Sequence, residues 1–151
     1  MKKSKSVLLV EDDKDDQNFF ITALNEIENT TLYDVAENGK EALDKLRISA
    51  VLPDLIFTDI NMPVMNGIEW LADKAKSPNL KNIPVVILSS SSPSGDLTRN
   101  LEAAAFIKKT SDQDKLRSNI EEVINSDITN NGKISNKIFH LVNFNDPLIL
   151  F

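Results

Sequence analysis

The chain has 151 residues, one histidine and no cysteine, with 17 basic against 23 acidic residues and a formal net charge of −6. That length fits one domain with a single substantial core, and 41% hydrophobic with 26% charged residues is the balance of a globular protein. The acidity argues against broad electrostatic binding to DNA or RNA, which needs a basic face, and the lack of cysteine excludes disulfides and thiolate metal sites.

Lys2, Lys3 and Lys5 precede Val7-Leu8-Leu9-Val10. Four apolar residues running into Glu11-Asp12-Asp13 are too few for a signal-peptide core or a membrane span, so a cytoplasmic protein is expected. Residues 6 to 10 lack alternation and predict a short strand buried on both faces. From about Asp15 the period changes. Phe20, Ala23, Leu24 and Ile27 fall at i, i+3, i+4 and i+7, one face of a helix, with Asp15 and Asp16 in a first turn where the helix dipole favours negative charge. Residues 31 to 36 alternate, with Leu32, Tyr33 and Val35 among polar neighbours, and predict a second strand near an edge. Asn38-Gly39 signals a turn, and Ala42, Leu43 and Leu46 mark the apolar face of a short helix.

Pro53-Asp54 breaks the chain before a third strand, Leu55-Ile56-Phe57-Thr58, which ends in the carboxylate of Asp59. Asn61 to Gly67 is a loop punctuated by Pro63 and Gly67, and a helix carrying Ile68, Leu71 and Ala75 follows. Pro84 opens a fourth strand, Val85-Val86-Ile87-Leu88. The serines from Ser89 to Ser92, with Pro93, Ser94 and Gly95, are loop chemistry, and Asp96 starts a short helix through Leu101. Ala104-Ala105-Phe106-Ile107 is a fifth strand, ending in Lys108-Lys109. Asp112 is placed to cap a last helix with Leu116, Ile120, Val123 and Ile124 as its inward stripe.

Strand and helix alternating five times imply a parallel sheet with helices on both faces. In such open sheets ligands bind beyond the carboxyl ends of the strands. Asp12 and Asp13 after the first strand, Asp59 after the third, Ser89 after the fourth and Lys109 after the fifth would therefore gather at one edge. Carboxylates sharing a cleft repel each other unless a cation is present. An all-oxygen set without His or Cys suits a hard cation such as Mg²⁺. Lys109 supplies a mobile ammonium for a phosphate oxygen, Ser89 a hydroxyl for another, and Asp59 a carboxylate able to attack phosphorus in line. Each residue alone has an ordinary reading. Asp12 and Asp13 suit a helix N-terminus, Asp59 a turn, Ser89 a solvated loop, Lys109 the surface and Phe106 the core. Their joint placement at four strand ends favours the functional reading.

With these residues in place the chain resembles the receiver domain of two-component response regulators. The matching pieces are Val7 to Asp13, Asn38-Gly39-Lys40-Glu41-Ala42-Leu43, Pro53 to Pro63, Met65-Asn66-Gly67, Ile83 to Ser90 and Ala105-Phe106-Ile107-Lys108-Lys109, covering residues 6 to about 125. The resemblance implies a flavodoxin-like, doubly wound α/β fold with a five-stranded parallel sheet in the order 2-1-3-4-5, as in a chemotaxis receiver. It also implies that Asp59 accepts a phosphoryl group from a phosphohistidine on a sensor histidine kinase or a histidine phosphotransfer protein. Asp13 and Asp59 would ligate Mg²⁺ with the backbone carbonyl of Asn61, and Asp12 would assist through water. Lys109 would pair with the phosphate, Ser89 would move to hydrogen-bond it, and Phe106 would be the aromatic switch, in a shift between two pre-existing arrangements. The chain departs from the family in carrying Thr110 after the lysine, where proline is usual, and Asn66 for a common aspartate. The segment from Ser89 to Lys109 is shorter than usual, with the missing length in its helix.

The reading divides the chain into a receiver at 1–126 and a C-terminal extension at 127–151, with no separate output domain, since 25 residues are too few for one. Output would then be binding of a downstream protein or onward phosphotransfer, with no direct contact to nucleic acid or membrane. Nine large apolar residues in the last 14 are costly to leave in water, so the extension is expected to dock on its own domain or on a second copy in a homodimer. Two rivals are weighed. An aspartyl-phosphate phosphatase would carry a second aspartate two residues after the nucleophile, where Asn61 stands here. A pseudo-receiver that binds without phosphorylation would not need Asp13, Asp59, Ser89 and Lys109 together.

Overall fold

The computed structural model describes residues 4–90 and 103–126, together with the backbone of 148–150. In chain order the elements are β1 (Lys5–Val10), α1 (Lys14–Asn25), β2 (Thr30–Ala36), α2 (Gly39–Ile48), β3 (Leu55–Thr58), α3 (Gly67–Lys76), β4 (Val85–Ser89), β5 (Ala105–Lys108), α4 (Gln113–Ile124) and β6 (Leu148–Leu150). The helix expected from Asp96 to Leu101 lies outside the described residues, as does the polar start of the C-terminal extension.

The sheet runs β2-β1-β3-β4-β5-β6. Its first five strands are parallel, in the flavodoxin-like order. The sixth differs from the expected five-stranded sheet: Leu148–Leu150 pair antiparallel with β5, Phe106 opposite Ile149. A three-residue apolar stretch carries no signal of its pairing partner, so only tertiary structure reveals this strand. β2 is the opposite edge, as its alternation implies, and its register against β1 shifts between Val7 and Leu8.

The apolar runs work because successive strand side chains point to opposite faces. Val7, Leu9, Leu55, Phe57, Val86, Leu88 and Ile107 join Phe20, Ala23 and Leu24 of α1 and Leu116, Ile120 and Val123 of α4 in one core. Leu8, Val10, Ile56, Val85, Ile87 and Phe106 join Ala42, Leu43 and Leu46 of α2 and Trp70 and Leu71 of α3 in the other. Phe20 and Phe57 meet with ring centroids 5.0 Å apart, tilted by 56°. With both faces apolar and covered, polar side chains of β1, β3 and β4 are driven to the strand ends.

The helices start where side-chain acceptors satisfy free backbone N–H groups. Asp13, Asn38, Asn66 and Asp112 each accept from the backbone N–H three residues on. The inward stripe of α3 differs from the expected Ile68, Leu71 and Ala75. It is Gly67, Trp70, Leu71 and Lys74. Trp70 is fully buried, and its indole Nε1–H donates to Thr58 Oγ1 at 3.1 Å. The tryptophan outweighs its neighbours because it buries the most apolar area and its one donor finds a partner at the end of β3. Among the described residues no helix is long and apolar enough to cross a membrane.

Trp70 should be the most sensitive side chain of the α2/α3 core. Trp70→Ala is expected to cost about 3–5 kcal/mol in urea denaturation, and Trp70→Phe, which keeps an aromatic ring but loses the donor and part of the buried volume, about 1–3 kcal/mol.

Candidate functional site

β1 ends at Val10 and β3 at Thr58, and the two strands are neighbours with those residues paired. The next residues, Glu11 and Asp59, therefore emerge side by side at the carboxyl edge. Asp59 N–H donates to Val10 O at 2.9 Å and Glu11 N–H to Ala36 O at 2.9 Å, so both backbones continue the ladder. Carboxylate oxygens of Glu11, Asp12 and Asp59 all lie within 4.8 Å of one another, with Glu11 and Asp59 buried and Asp12 exposed.

The clustered carboxylates differ from the expected pair. Asp13 was expected beside Asp59 as a ligand, but its Oδ1 accepts from Asp16 N–H at 2.9 Å as the N-cap of α1. Glu11 takes its place in the cluster, with only 2% of its surface exposed. A signal for this exists in the sequence. Asp13 and Asp16 have the spacing of an N-cap and its third helical residue, which commits Asp13 to the helix and leaves Glu11 and Asp12 at the strand end. Glu11 is further fixed by its own carbonyl, which accepts from Gln17 Nε2 at 2.6 Å, and by Asp13 N–H, which donates to its Oε2 at 3.2 Å.

Asp59 is held from several sides. Its Oδ1 accepts from Ile60 N–H at 2.7 Å, and its carbonyl accepts from Thr58 Oγ1 at 2.8 Å, the same hydroxyl that meets Trp70. Gly67 N–H donates to Ile60 O at 2.7 Å. A Cβ at Gly67 would sit 2.6 Å from Asp59 O and 2.8 Å from Ile60 Cα, so only glycine lets α3 start this close to the acceptor. Between them Val64 has φ 68°, with Met65 N–H donating to Pro63 O at 2.7 Å. That is a γ-turn of the strained sense, centred on a β-branched residue.

Lys109 follows β5, and its N–H donates to Ser89 O at 2.8 Å. Its Nζ is 2.6 Å from Glu11 Oε1, 2.8 Å from Asp16 Oδ2 and 3.3 Å from Asp59 Oδ2. Burial pulls the ammonium down, but hydrogen bonds to Asp16 and Glu11 and the charge of Asp59 outweigh it and hold Lys109 above the usual lysine range. Burial pushes Glu11 up to about 7, against the opposing pull of Lys109. Ser89 is buried at the end of β4, and Phe106 is buried within β5 in the α2/α3-side core. The structure thus joins Asp12, Asp59 and Lys109, ties Ser89 to Lys109 through the backbone, and adds Glu11 and Asp16.

Three clustered carboxylates, two of them buried, make a hard-donor set that fits a small divalent cation. The lysine beside them offers positive charge to an anion. Fold and site together define a doubly wound α/β protein that gathers three carboxylates and one lysine at the carboxyl edge of its sheet.

Comparison with known proteins agrees with this class. The chain matches the family model "Response regulator receiver domain" over residues 7–121, and it belongs to that family. It is 42% identical over 110 residues to a protein-glutamate methylesterase/protein-glutamine glutaminase of Desulfotalea psychrophila, covering 69% of this chain and spanning 28% of that relative's length. The phosphorylated cyanobacterial phytochrome response regulator RcpA superposes with a TM-score of 0.70 at 32% identity, covering 80% of this chain and 91% of the other. The Mn²⁺-bound form of response regulator Rcp1 superposes with a TM-score of 0.67 at 28% identity, covering 79% and 91%.

Two measurements test the site's geometry. Gly67→Ala should destabilise the fold by about 1–3 kcal/mol in urea denaturation, as the methyl meets backbone rather than a movable side chain, and should weaken Mg²⁺ binding in a titration. The second concerns Glu11, whose pKa is raised from 4.5 to about 7. The folded state then retains a proton that the unfolded chain has released, so in metal-free buffer the contribution of Glu11 to stability is fully present below pH 4.5 and is lost as pH rises through 7. Denaturation midpoints between these limits should show that fall, and Glu11→Gln should flatten it.

Proposed function

We propose that this chain is the phosphoacceptor of a two-component phosphorelay and that Asp59 is the residue phosphorylated. The observation that carries the reading is the placement of Asp59: a buried carboxylate at the end of β3, beside Glu11 and Asp12 and within 3.3 Å of the Lys109 ammonium. The phosphorylated and Mn²⁺-bound states of its two structural neighbours support the same chemistry. The donor is a phosphohistidine on a sensor histidine kinase or a histidine phosphotransfer protein.

An Asp59 oxygen attacks phosphorus in line. The P–O bond forms as the P–N bond breaks, and the electron pair returns to the imidazole. Glu11, Asp12 and Asp59, with the backbone carbonyl of Asn61, would hold Mg²⁺, which when bound neutralises charge on the phosphoryl oxygens. Lys109 faces a phosphoryl oxygen from the β5 side, and the Ser89 hydroxyl donates to another. Thr58 and Trp70 fix the backbone of the acceptor so that attack costs little reorganisation. Phe106, one strand across from Ile87, is the aromatic that repacks as Ser89 moves, shifting the population toward the arrangement a downstream protein recognises. The product is a switched binding face, so the chain is a cytoplasmic regulator rather than a turnover enzyme. Asn61 supports this, since no second carboxylate stands two residues after Asp59 to act as acid or base.

Intact mass after incubation with acetyl phosphate and Mg²⁺ tests the reading. The native chain should gain one phosphoryl group and Asp59→Ala none. A gain in both, or in neither, would sink it.

A further inference from the structure

The three carboxylates around Lys109 are not equivalent. Glu11 and Asp59, at 2.6 and 3.3 Å from Nζ, both belong to the cluster whose oxygens lie within 4.8 Å of one another. Asp16, at 2.8 Å, does not. A dication drawn to Glu11, Asp12 and Asp59 competes with Lys109 for two of its three partners, and like charges on ion and ammonium make that competition repulsive as well. The third partner lies outside the contest.

Asp16 is also well placed to stay where it is. Its own N–H is the group that Asp13 caps, at 2.9 Å, so the carboxylate that the cluster lacks is spent on fixing the backbone of the residue that meets Lys109. The backbone of Lys109 is tied to Ser89, but its four-carbon stem is flexible. Lys109 and Asp16 both line a small cavity, with Glu11 and the apolar side chains of Leu9, Phe20 and Leu88. An ammonium released by Glu11 and Asp59 would need another anchor to remain at the edge.

We propose that Asp16 is a positioning residue for Lys109. It retains the ammonium beside Asp59 when a cation occupies the carboxylate cluster, so that positive charge is already in place for the incoming phosphoryl oxygens. This inference rests on the reading of the cluster as a cation site and of Asp59 as phosphoacceptor. Asp16 is about half exposed, with 47% of its side-chain surface open and 24% of that of Lys109, and ion pairs this open contribute little to stability. The role is one of geometry, and the melting temperature should scarcely respond to its loss.

The test uses the full chain and the slowly exchanging side-chain ammonium signal of Lys109 in ¹⁵N-detected NMR, assigned by its disappearance in Lys109→Arg, with and without Mg²⁺. Cation binding is followed separately through the backbone amides of Glu11, Asp12 and Asp59. In the native chain the ammonium signal should persist at saturating Mg²⁺. In Asp16→Asn it should persist without Mg²⁺, held by Glu11 and Asp59, and be lost when Mg²⁺ saturates. Asp16→Glu should restore it. Phosphorylation of Asp16→Asn by acetyl phosphate should slow on the order of tenfold, with Mg²⁺ affinity unchanged or slightly lower. If the ammonium signal of Asp16→Asn survives saturating Mg²⁺, the proposal is overturned while the cation site stands. If Mg²⁺ moves none of the three amides, the cation site itself fails and this proposal falls with it.

Discussion

Bringing Glu11, Asp12 and Asp59 within 4.8 Å of one another is the interaction on which the rest of the site depends. Two unit charges about 4 Å apart repel by roughly 4 kcal/mol at the effective dielectric of a protein surface. Such an arrangement persists only with positive charge at hand. Lys109 supplies it here, bridging two of the three and adding Asp16 from α1. The raised proton affinity of Glu11 belongs to the same balance: a buried carboxylate in acidic company either keeps its proton or keeps a cation nearby. An edge charged in this way is stabilised by further positive charge placed near the three carboxylates.

What holds the unfavourable charges together is the sheet. Parallel strands buried on both faces leave polar side chains few places except the strand ends. The ends of β1 and β3 are adjacent because the strand order reverses around β1. Rigidity comes from below and beside. Trp70 reaches across from α3 to Thr58, Thr58 binds the carbonyl of Asp59, and Gly67 allows α3 to begin against the acceptor's backbone. The strained turn at Val64 lies in the loop between acceptor and helix, where backbone strain is characteristic of functional sites.

Much of this was legible beforehand. Apolar runs at 7–10, 55–57 and 85–88 are too short for helices and read as two-faced strands, and the period change after each run places a helix between strands. From that alternation follow the sheet, its carboxyl edge and the company of Asp59 and Lys109. Asp13 stands outside the carboxylate cluster for a specific physical reason. Three consecutive acidic residues after a strand look interchangeable in a sequence, but the first turn of α1 needs an acceptor for its free N–H groups, and Asp13 is the residue at cap spacing. Taking Asp13 for the helix leaves Glu11 and Asp12 as the carboxylates clustered with Asp59. Trp70 was passed over because an aliphatic period is easier to see than one large side chain with a donor to satisfy.

Local pattern by itself determined the five parallel strands, the four described helices and the fold class, because hydrophobic period, turn residues and strand ends are properties of neighbours along the chain. Tertiary structure alone decided which carboxylates meet, that Lys109 is shared among Glu11, Asp16 and Asp59, and that Leu148–Leu150 pair with β5. Those outcomes depend on distances between residues up to 98 positions apart, and on competition between a helix cap and a ligand cluster for the same side chain. No local rule settles such a competition, since its result is set by the geometry of strands and helices that sequence proximity does not describe.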